Sequence, residues 1–284
     1  MWWVVPLSSI TTSRPAAIVT GGTGGIGLAT AELLAQKRMN LILAYGHDTQ
    51  RAQQAKHSLQ DRYNVQVQTV QGDLTTDRGR DQTIQNMKQI LESPQFGGRV
   101  AAIVHAAGFF HERLLEVHLA GSIPNFTMYD EYQSIYPKTL VALAELAIER
   151  MDDGVGRIVC VTNPGCNSMQ APRVGYDVPG QAKATMEWLV RMYALRLASR
   201  GICINAVSPG YTDTKEWDKA RAAMGRGDME AGRRLLDERM LSRSPMKRWA
   251  EASEIAQTIA YLAAEQSGLI TGAFVPVDGG LHMA

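Results

Sequence analysis

Five glycines lie within positions 21–27, directly after a short apolar run, and a segment with helix-like spacing follows them. Glycine lets the backbone turn sharply and lets a ligand come close, because no Cβ stands in the way. The helix that follows would present free N–H groups and the positive end of its dipole at the same point. These residue types at this spacing therefore predict a loop that binds a pyrophosphate.

The elements that must position this loop can also be read from the sequence. Further apolar runs of strand length alternate with amphipathic segments of helix length, such as Gly27–Arg38, Gln50–Arg62 and Gln181–Ser199. Strict alternation predicts an α/β fold, a Rossmann-type doubly wound parallel sheet with helices on both faces. In such sheets a ligand binds at the carboxyl ends of the strands, near the switch in strand order. The predicted strands are Ala16–Thr20, Asn40–Tyr45, Val65–Gln71, Val100–His105, Arg157–Val161, Ile202–Val207 and Ala273–Val277.

Composition limits the classes of partner. The chain has 284 residues, 45% of them hydrophobic, which is ordinary for a folded domain with its own core. Its 29 basic and 28 acidic side chains leave a net charge of +1, which gives no sign of a nucleic-acid surface or a polybasic membrane patch. No stretch approaches the roughly 18 apolar residues of a membrane span. We therefore expect a small-molecule substrate, with neither nucleic acid nor membrane as a partner.

Three cysteines, an odd number without a CxxC pair, favour a reducing compartment. The apolar run at the N-terminus is too short for a signal sequence. We therefore expect a cytoplasmic protein with a flexible lead-in over residues 1–14 and a single Rossmann-type catalytic domain over 15–284.

Residues 211–247 differ from the rest of the chain, because they are polar and helix-prone and come late in the sequence. We interpret them as a substrate lid inserted before the last strand. Its large apolar side chains would line a pocket, since methionine adapts to irregular shapes, or would form the packed faces of helices. These side chains are Trp217, Met224, Met229 and Met240.

Four further motifs follow the glycine loop: G-D-L at 72–74, V-H-A-A-G at 104–108, S-P-G-Y-T at 208–212 and V-D-G-G at 277–280. Together with T-G-G-T-G-G-I-G at 20–27, and in this order, they resemble the motifs of the short-chain dehydrogenase/reductase family. The resemblance covers roughly residues 14–282. It implies a nicotinamide dinucleotide cofactor, no metal, and a homodimer or homotetramer packed through the helices that carry residues 133–151 and 179–199.

The same resemblance implies which residues bind the cofactor. They include the fingerprint after the first strand, the adenine contact after the third, the turn after the fourth and the nicotinamide-binding loop after the sixth. The implied residues are Gly21, Thr23, Gly25, Ile26, Gly27, Tyr45, His47, Asp73, Leu74, Ala106, Ala107, Gly108, Lys183, Pro209, Gly210 and Thr212.

The end of the second strand bears on the choice of cofactor. An NAD-dependent enzyme of this type usually has an acidic residue there, which binds the ribose 2′-hydroxyl. Here Tyr45 stands near that place, and Asp48 follows slightly later. His47 and Arg51 would instead meet a 2′-phosphate. We therefore expect NADPH, with NADH as the alternative.

The catalytic pattern departs from that of most family members, which carry Tyr-x-x-x-Lys. The matching lysine is Lys183, but Pro179 stands four positions before it and has no proton to donate. Tyr176 lies seven positions before the lysine, and this Tyr-x6-Lys spacing is similar to that of enoyl-acyl-carrier-protein reductases. Proline favours the first position of a helix. If Pro179 begins the helix, Tyr176 lies in a loop that folds back over the nicotinamide, and the alternative is a loop tyrosine without a role.

Two further positions depart from the family pattern. Asn163 stands after the fifth strand, where the family has a catalytic serine or, in enoyl reductases, a tyrosine. Asparagine can bind a carbonyl oxygen but is a poor proton donor, and Cys166 or Ser168 would be alternatives. Ser134 stands near the place of a helical asparagine. The candidate catalytic residues are therefore Tyr176, Lys183 and Asn163.

The leading hypothesis is NADPH-dependent reduction of an activated C=C bond. Tyr176 would stabilise the enolate oxygen and Lys183 would hold the ribose and supply positive potential, since electrostatic stabilisation is the largest contribution expected from the protein. One alternative is reduction of a ketone, or of an imine or iminium in specialised metabolism. The other is a nucleotide-binding protein that has lost the chemistry, or a cyclase that uses the cofactor as a scaffold.

Overall fold

The computed structural model describes residues 14–108, 126–166, 170, 172 and 176–284. Most of the predicted lead-in, residues 1–13, lies outside this range. Seven strands are described within it, and they agree with the predicted runs to within about two residues at each end. They are β1 Ala16–Thr20, β2 Asn40–Tyr45, β3 Val67–Gln71, β4 Val100–His105, β5 Arg157–Val161, β6 Cys203–Pro209 and β7 Phe274–Val277.

The strands form one parallel sheet in the order β3-β2-β1-β4-β5-β6-β7. The order reverses between β1 and β4, so the chain leaves these two neighbouring strands in opposite directions along the sheet. This is the topological switch point at which ligands bind in open α/β sheets. The prediction of a doubly wound parallel sheet is confirmed.

Helices cover both faces of the sheet. The described helices are α1 Gly25–Gln36, α2 Thr49–Tyr63, α3 Asp77–Leu91, α4 Phe126–Gln133, α5 Thr139–Ile148, α6 Asp177–Leu197, α7 Asp218–Met224, α8 Met229–Leu241 and α9 Ala252–Leu262. A π-helix, Ser134–Lys138, joins α4 directly to α5.

Alternate residues of each strand supply two separate hydrophobic cores. On β1, Ala16 and Ile18 belong to the core beneath α3, α5 and α6, while Ala17 and Val19 belong to the core beneath α1 and α9. Strands buried on both faces read as continuous apolar runs, which is why the sequence shows them so clearly. The sheet therefore forms a rigid floor, and its carboxyl edge holds the candidate site.

Within the part of the chain that the structure describes, no helix is both long enough and apolar enough to cross a membrane.

Candidate functional site

The loop between β1 and α1 is shaped by its glycines. Gly21 and Gly25 have φ angles of +67° and +50°, a left-handed conformation that glycine adopts without strain. A Cβ at Gly27 would overlap the carbonyl of Gly21. The N-cap of α1 is Gly24, which has no side chain to bond the first N–H groups of the helix. The loop therefore leaves backbone donors at a helix N-terminus, which suits a phosphate.

The turn after β4 packs directly against this loop. A Cβ at Gly21 would lie 3.0 Å from Ala106 O and from the backbone of Ala107. The Ala107 N–H donates to Thr20 Oγ1 at 3.1 Å, and the Ala106 N–H donates to Thr20 O at 3.2 Å. The structure thus brings together two of the segments to which the sequence assigned cofactor binding.

The segment after β6 closes the same region from a third side. A Cβ at Gly25 would lie 3.3 Å from the methyl group of Thr214, so this segment crosses the glycine loop. Gly210 donates its N–H to Val277 O at 3.0 Å, and a Cβ there would lie 2.8 Å from Asp278 Cα. Thr212 is buried, and its Oγ1 donates to Gly210 O at 3.0 Å. The predicted nicotinamide loop and the V-D-G-G motif therefore support each other.

Arg51, at the start of α2, reaches the glycine loop. A Cβ at Gly24 would overlap its guanidinium group, so the positive charge lies directly against the backbone there. Asp48 caps α2, because its Oδ1 accepts the N–H of Arg51 at 2.9 Å. His47 is exposed, and Tyr45 is half-buried. The acidic group considered for the ribose hydroxyl is thus engaged by its own helix, while the basic group faces the loop.

The G-D-L motif after β3 divides its side chains between solvent and core. Asp73 is exposed, and its Oδ1 accepts from Thr75 N at 2.9 Å and from Thr75 Oγ1 at 2.6 Å. Leu74 is buried in the core. Leu74 would therefore offer its backbone, rather than its side chain, to a ligand at this edge.

Lys183 is the charged centre of the site. It lies on α6, is only 6% exposed, and donates to Thr162 O at 3.3 Å and to Asn163 Oδ1. The structure thus brings together two of the three predicted catalytic residues. Burial lowers the pKa of Lys183 to about 8, although the acidic groups of Cys166, Cys160 and Glu187 oppose this shift. The amine therefore remains mostly protonated at neutral pH in spite of its burial.

An aromatic ring lies beneath this amine. Lys183 Nζ is 4.6 Å from the centroid of the Tyr136 ring, which stacks in turn on Tyr132 at 5.8 Å. A Cβ at Gly108 would lie 3.0 Å from the Tyr136 hydroxyl oxygen, so the phenol also reaches the turn after β4. No motif in the sequence marks Tyr136 as a functional residue. Its signal was Pro137, a proline in the middle of a helix-prone segment.

His105, at the end of β4, is structural. It is 1% exposed, and its Nδ1 lies 2.7 Å from Thr20 Oγ1, the same hydroxyl that accepts the Ala107 N–H. Burial lowers the pKa of His105 to about 4. The ring is therefore neutral at physiological pH and fixes the two loops relative to each other.

The thiols near the site are also buried. Burial raises the pKa of Cys160, so it remains a thiol at neutral pH. Cys166 is buried, and Ser168 lies outside the described residues. Among the residues described, no group of three or more His, Cys, Asp or Glu side chains could hold a metal ion.

The segment predicted as a lid is mostly helical. It contains α7 and α8, and the ring of Trp217 packs on Tyr211 and Trp249 at 6.5 Å and 5.3 Å between centroids. The indole N–H of Trp249 donates to Asp237 Oδ1 at 2.6 Å. Arg221 is buried and forms ion pairs with Asp213 and with Asp218. Trp217 therefore belongs to an aromatic cluster that packs the segment against Trp249, which lies outside it.

Comparison with known proteins identifies the family. Residues 21–282 match the family model described as Enoyl-(Acyl carrier protein) reductase. The oxidoreductase YmfI of Bacillus subtilis is 27% identical over 266 residues, which cover 94% of this chain and 98% of that protein. The chain belongs to the short-chain dehydrogenase/reductase family. As a member of this family it is an NAD(P)-dependent oxidoreductase.

Other members of the short-chain dehydrogenase/reductase family show similar coverage. The 3-oxoacyl-[acyl-carrier-protein] reductase FabG of Staphylococcus epidermidis is 28% identical, over 94% of this chain and 98% of that protein. The solved structure of L-sorbose reductase from Gluconobacter frateurii, complexed with NADPH and L-sorbose, superposes with a TM-score of 0.79. It is 22% identical and covers 96% of this chain and 98% of that one. The structural likeness extends over nearly the whole chain, which supports the fold.

The start of α6 corrects one prediction about this short-chain dehydrogenase/reductase. Pro179 does not begin the helix, because α6 begins at Asp177 and Tyr176 is its N-cap. The N–H groups of the first helical turn have no partners within a helix, so proline is tolerated at the third position as well as the first. Tyr176 still lies just outside the helix, and its ring runs beside Gly180, where a Cβ would lie 3.4 Å from Tyr176 Cδ1.

Proposed function

We propose that this protein is an NADPH-dependent reductase of a C=C bond conjugated to a carbonyl group. The observation that carries the proposal is Pro179, which stands one helical turn before the buried Lys183. This position cannot deliver a proton, whereas a positive charge lies within reach of the carboxyl edge of β5. The site therefore keeps a positive charge that can stabilise an oxyanion, while the position one turn before the lysine has no proton to give.

The two reductions make different demands on these groups. Hydride transfer to a ketone carbon produces an alkoxide, a strong base that needs a proton donor close by. Hydride transfer to the β-carbon of an enone or enoyl thioester produces an enolate, whose charge is delocalised and whose α-carbon then takes a proton. Positive potential at the oxygen is the main contribution the protein can make to this second reaction.

We assign that contribution to Lys183 and Tyr176. In a helix the Cα–Cβ bonds tilt toward the N-terminus, so Lys183 leans toward the end of α6 that Tyr176 caps. Their backbone positions are about 10 Å apart along the axis, so only the ends of these two long side chains can converge. In this proposal Tyr176 binds the enolate oxygen, while Lys183 binds the ribose and supplies the positive potential. Asn163 orients Lys183.

The glycine loop and Arg51 support NADPH as the cofactor. A Cβ at Gly27 would overlap the carbonyl of Gly21 in the phosphate loop, so the loop depends on glycine there. The Arg51 guanidinium lies against the backbone at Gly24, and its positive charge suits the additional phosphate of NADPH. Asp48 is engaged as the N-cap of α2 and does not favour NADH. When bound, the reduced dinucleotide supplies the hydride. NADH is the second candidate.

Carbonyl reduction is the second candidate function. It is supported by the similarity of the chain to relatives such as FabG, a 3-oxoacyl-[acyl-carrier-protein] reductase. Reduction of an iminium ion also fits the absence of a donor at Pro179, because an iminium carbon accepts hydride without an accompanying proton.

Two parallel assays distinguish these functions. The protein is incubated with NADPH and either an enoyl thioester or the corresponding 3-oxoacyl thioester, and cofactor oxidation and products are measured. We expect the saturated thioester from the first and no turnover of the second. Lys183→Met should reduce turnover at least tenfold, and Tyr176→Phe should do so without weakening NADPH binding. Turnover of the 3-oxoacyl substrate alone would contradict the proposal.

We also propose a cytoplasmic homodimer or homotetramer. The exposed face of α6 carries Trp188 and Leu195, which are 56% and 76% exposed, together with Met192. Large apolar side chains on one helix face favour burial against a second copy. The three cysteines are free and buried, as suits a reducing compartment. The segment 211–247 remains our candidate for the substrate lid.

A further inference from the structure

We propose that Tyr136 is the positioning residue of Lys183, and that the face of its ring keeps the amine charged and directed at the site. The inference rests on the proposed function in one respect, since it takes Lys183 as the cation that the reaction uses. The geometry that supports it is the 4.6 Å between Lys183 Nζ and the centroid of the Tyr136 ring. A cation over an aromatic face is attracted by the negative potential of the ring.

The π-helix explains why a tyrosine at this position faces Lys183. Pro137 lies inside it and has no N–H, so the regular α-helical bond to Gln133 cannot form. The wider turn is closed instead at Thr139, whose N–H and Oγ1 both donate to Ser134 O, the latter at 2.8 Å. Wide turns of this kind often redirect side chains at functional sites. Here the turn presents the Tyr136 ring toward α6.

The ring is itself held firmly. Tyr136 is 3% exposed and stacks on the fully buried Tyr132, with an interplanar angle of 17°. Its hydroxyl end lies beside Gly108, which has no side chain to displace it. A ring held by this stacking and at its hydroxyl end offers a rigid aromatic surface to the ammonium group. Little entropy is therefore lost when the contact forms.

Lys183 gains from such a contact because neither of its hydrogen-bond acceptors carries a charge, so that Glu187 is the nearby acid that favours its ammonium form. Its two hydrogen-bond acceptors, Thr162 O and Asn163 Oδ1, are neutral. The ring face adds attraction for the charged form without adding an acid that could take the proton. It also does so at a site where Pro179 supplies neither a hydroxyl nor a charge.

The titratable groups around Lys183 come from three elements. Glu187 lies on α6, Cys160 on β5 with Cys166 just after it, and His105 at the end of β4. Burial keeps His105 neutral and Cys160 protonated at neutral pH, so neither changes charge near the midpoint of Lys183. Glu187 is an acid one turn along and favours the ammonium form. The Cys166 thiol is the strongest of the groups that raise the pKa of Lys183, so the effect of Tyr136 is measured as a difference between variants that all keep Cys166.

The test changes the electron density of the ring without changing its shape. Tyr136→Phe keeps the aromatic face, while a multiply fluorinated phenylalanine at position 136 depletes it in the same volume. The Lys183 amine is titrated by NMR in the unliganded protein with isotopically labelled lysine, its signal assigned with Lys183→Arg. We expect the midpoint to remain near 8 in Tyr136→Phe. It should fall by about one pH unit in the fluorinated variant.

Tyr193→Phe is the matched control, because Tyr193 is a similarly buried tyrosine on α6 whose hydroxyl bonds Glu145. It should leave the Lys183 titration unchanged. Midpoints near 8 in both variants would overturn the proposal, because the electron density of the ring would then have no effect. Midpoints lowered equally in both would also overturn it, because the hydroxyl would then be responsible. Since the titration uses no substrate, failure of the enoyl assay leaves this result interpretable.

Discussion

Lys183 lies where β5 ends, with a carbonyl, an amide oxygen and an aromatic face around its amine. A lysine in water has a pKa near 10.4 and keeps its charge throughout the physiological range. Burial brings the pKa of Lys183 down to about 8, so its charge becomes sensitive to mildly alkaline conditions. At the scale of single residues, this charge is the quantity on which the proposed reaction depends.

A pH dependence follows from this value. The reaction uses the ammonium form, which predominates below the pKa and is lost as the pH rises through it. We expect kcat to be constant on the acid side of the midpoint and to fall about tenfold per pH unit above about 8. The measurement is a kcat profile at saturating NADPH. A profile that stays level to pH values near the pKa of an exposed lysine would contradict the prediction that loss of the Lys183 charge near pH 8 limits the reaction.

We also expect Arg51 to determine the preference of the protein for NADPH. Removing its guanidinium in Arg51→Ala should raise KM for NADPH about tenfold to a hundredfold, since charge-assisted bonds to phosphate are each worth about 1.5–3 kcal/mol. KM for NADH should change little. Arg62→Ala is the control, because Arg62 lies on the same helix and pairs with Glu32 at the surface. Equal effects on both cofactors would contradict the assignment of Arg51.

The residues predicted from sequence were those with a local signal. Glycine spacing after a strand predicts the phosphate loop, and Lys183 was found by its place in a motif. Tyr136 was not found, because its contact with Lys183 joins residues far apart in sequence and depends on a π-helix that periodicity does not reveal. The capping role of Asp48 was also missed, although Asp before a helix is a recognised N-cap signal.

At the scale of elements, the first turn of α6 decides what the site can do. Pro179 occupies the third helical position, where the missing N–H leaves no bond unmade. The prediction that Pro179 begins the helix is wrong by two residues, which is the usual uncertainty of helix ends. The strands β1, β2, β4 and β5 were predicted to the residue, because both of their faces are buried and their apolar runs are continuous.

Pro179→Tyr tests the role of this turn. The substitution would place a phenol one turn before Lys183 and thereby create the Tyr-x-x-x-Lys spacing of most family members. We expect it to add or to increase turnover of a 3-oxoacyl substrate at least tenfold, because a positioned general acid contributes about 10²–10⁴ in rate. Pro179→Ala restores the N–H without a phenol and serves as the control. An equal gain in both variants would attribute the effect to the helix rather than to the proton donor.

At the scale of the whole molecule, the sheet brings the loops after β1, β4 and β6 to one edge. This convergence was predictable, since alternating strands and helices lead to a parallel sheet whose carboxyl ends meet. The sequence shows that the segment 211–247 comes before the last strand, but it does not show what the segment contacts. Its aromatic cluster joins Tyr211 and Trp217, at the start of that segment, to Trp249, just beyond its end, and no local pattern indicates this contact.

The central claim is that the site reduces C=C rather than C=O, and the position of the transferred hydride tests it directly. The protein is supplied with NADPH carrying deuterium at the reactive nicotinamide carbon and with a conjugated enone, and the product is analysed by NMR. The proposal predicts deuterium on the carbon β to a carbonyl group that is retained. Deuterium on the carbonyl carbon, with the C=C bond intact in an allylic alcohol, would contradict it.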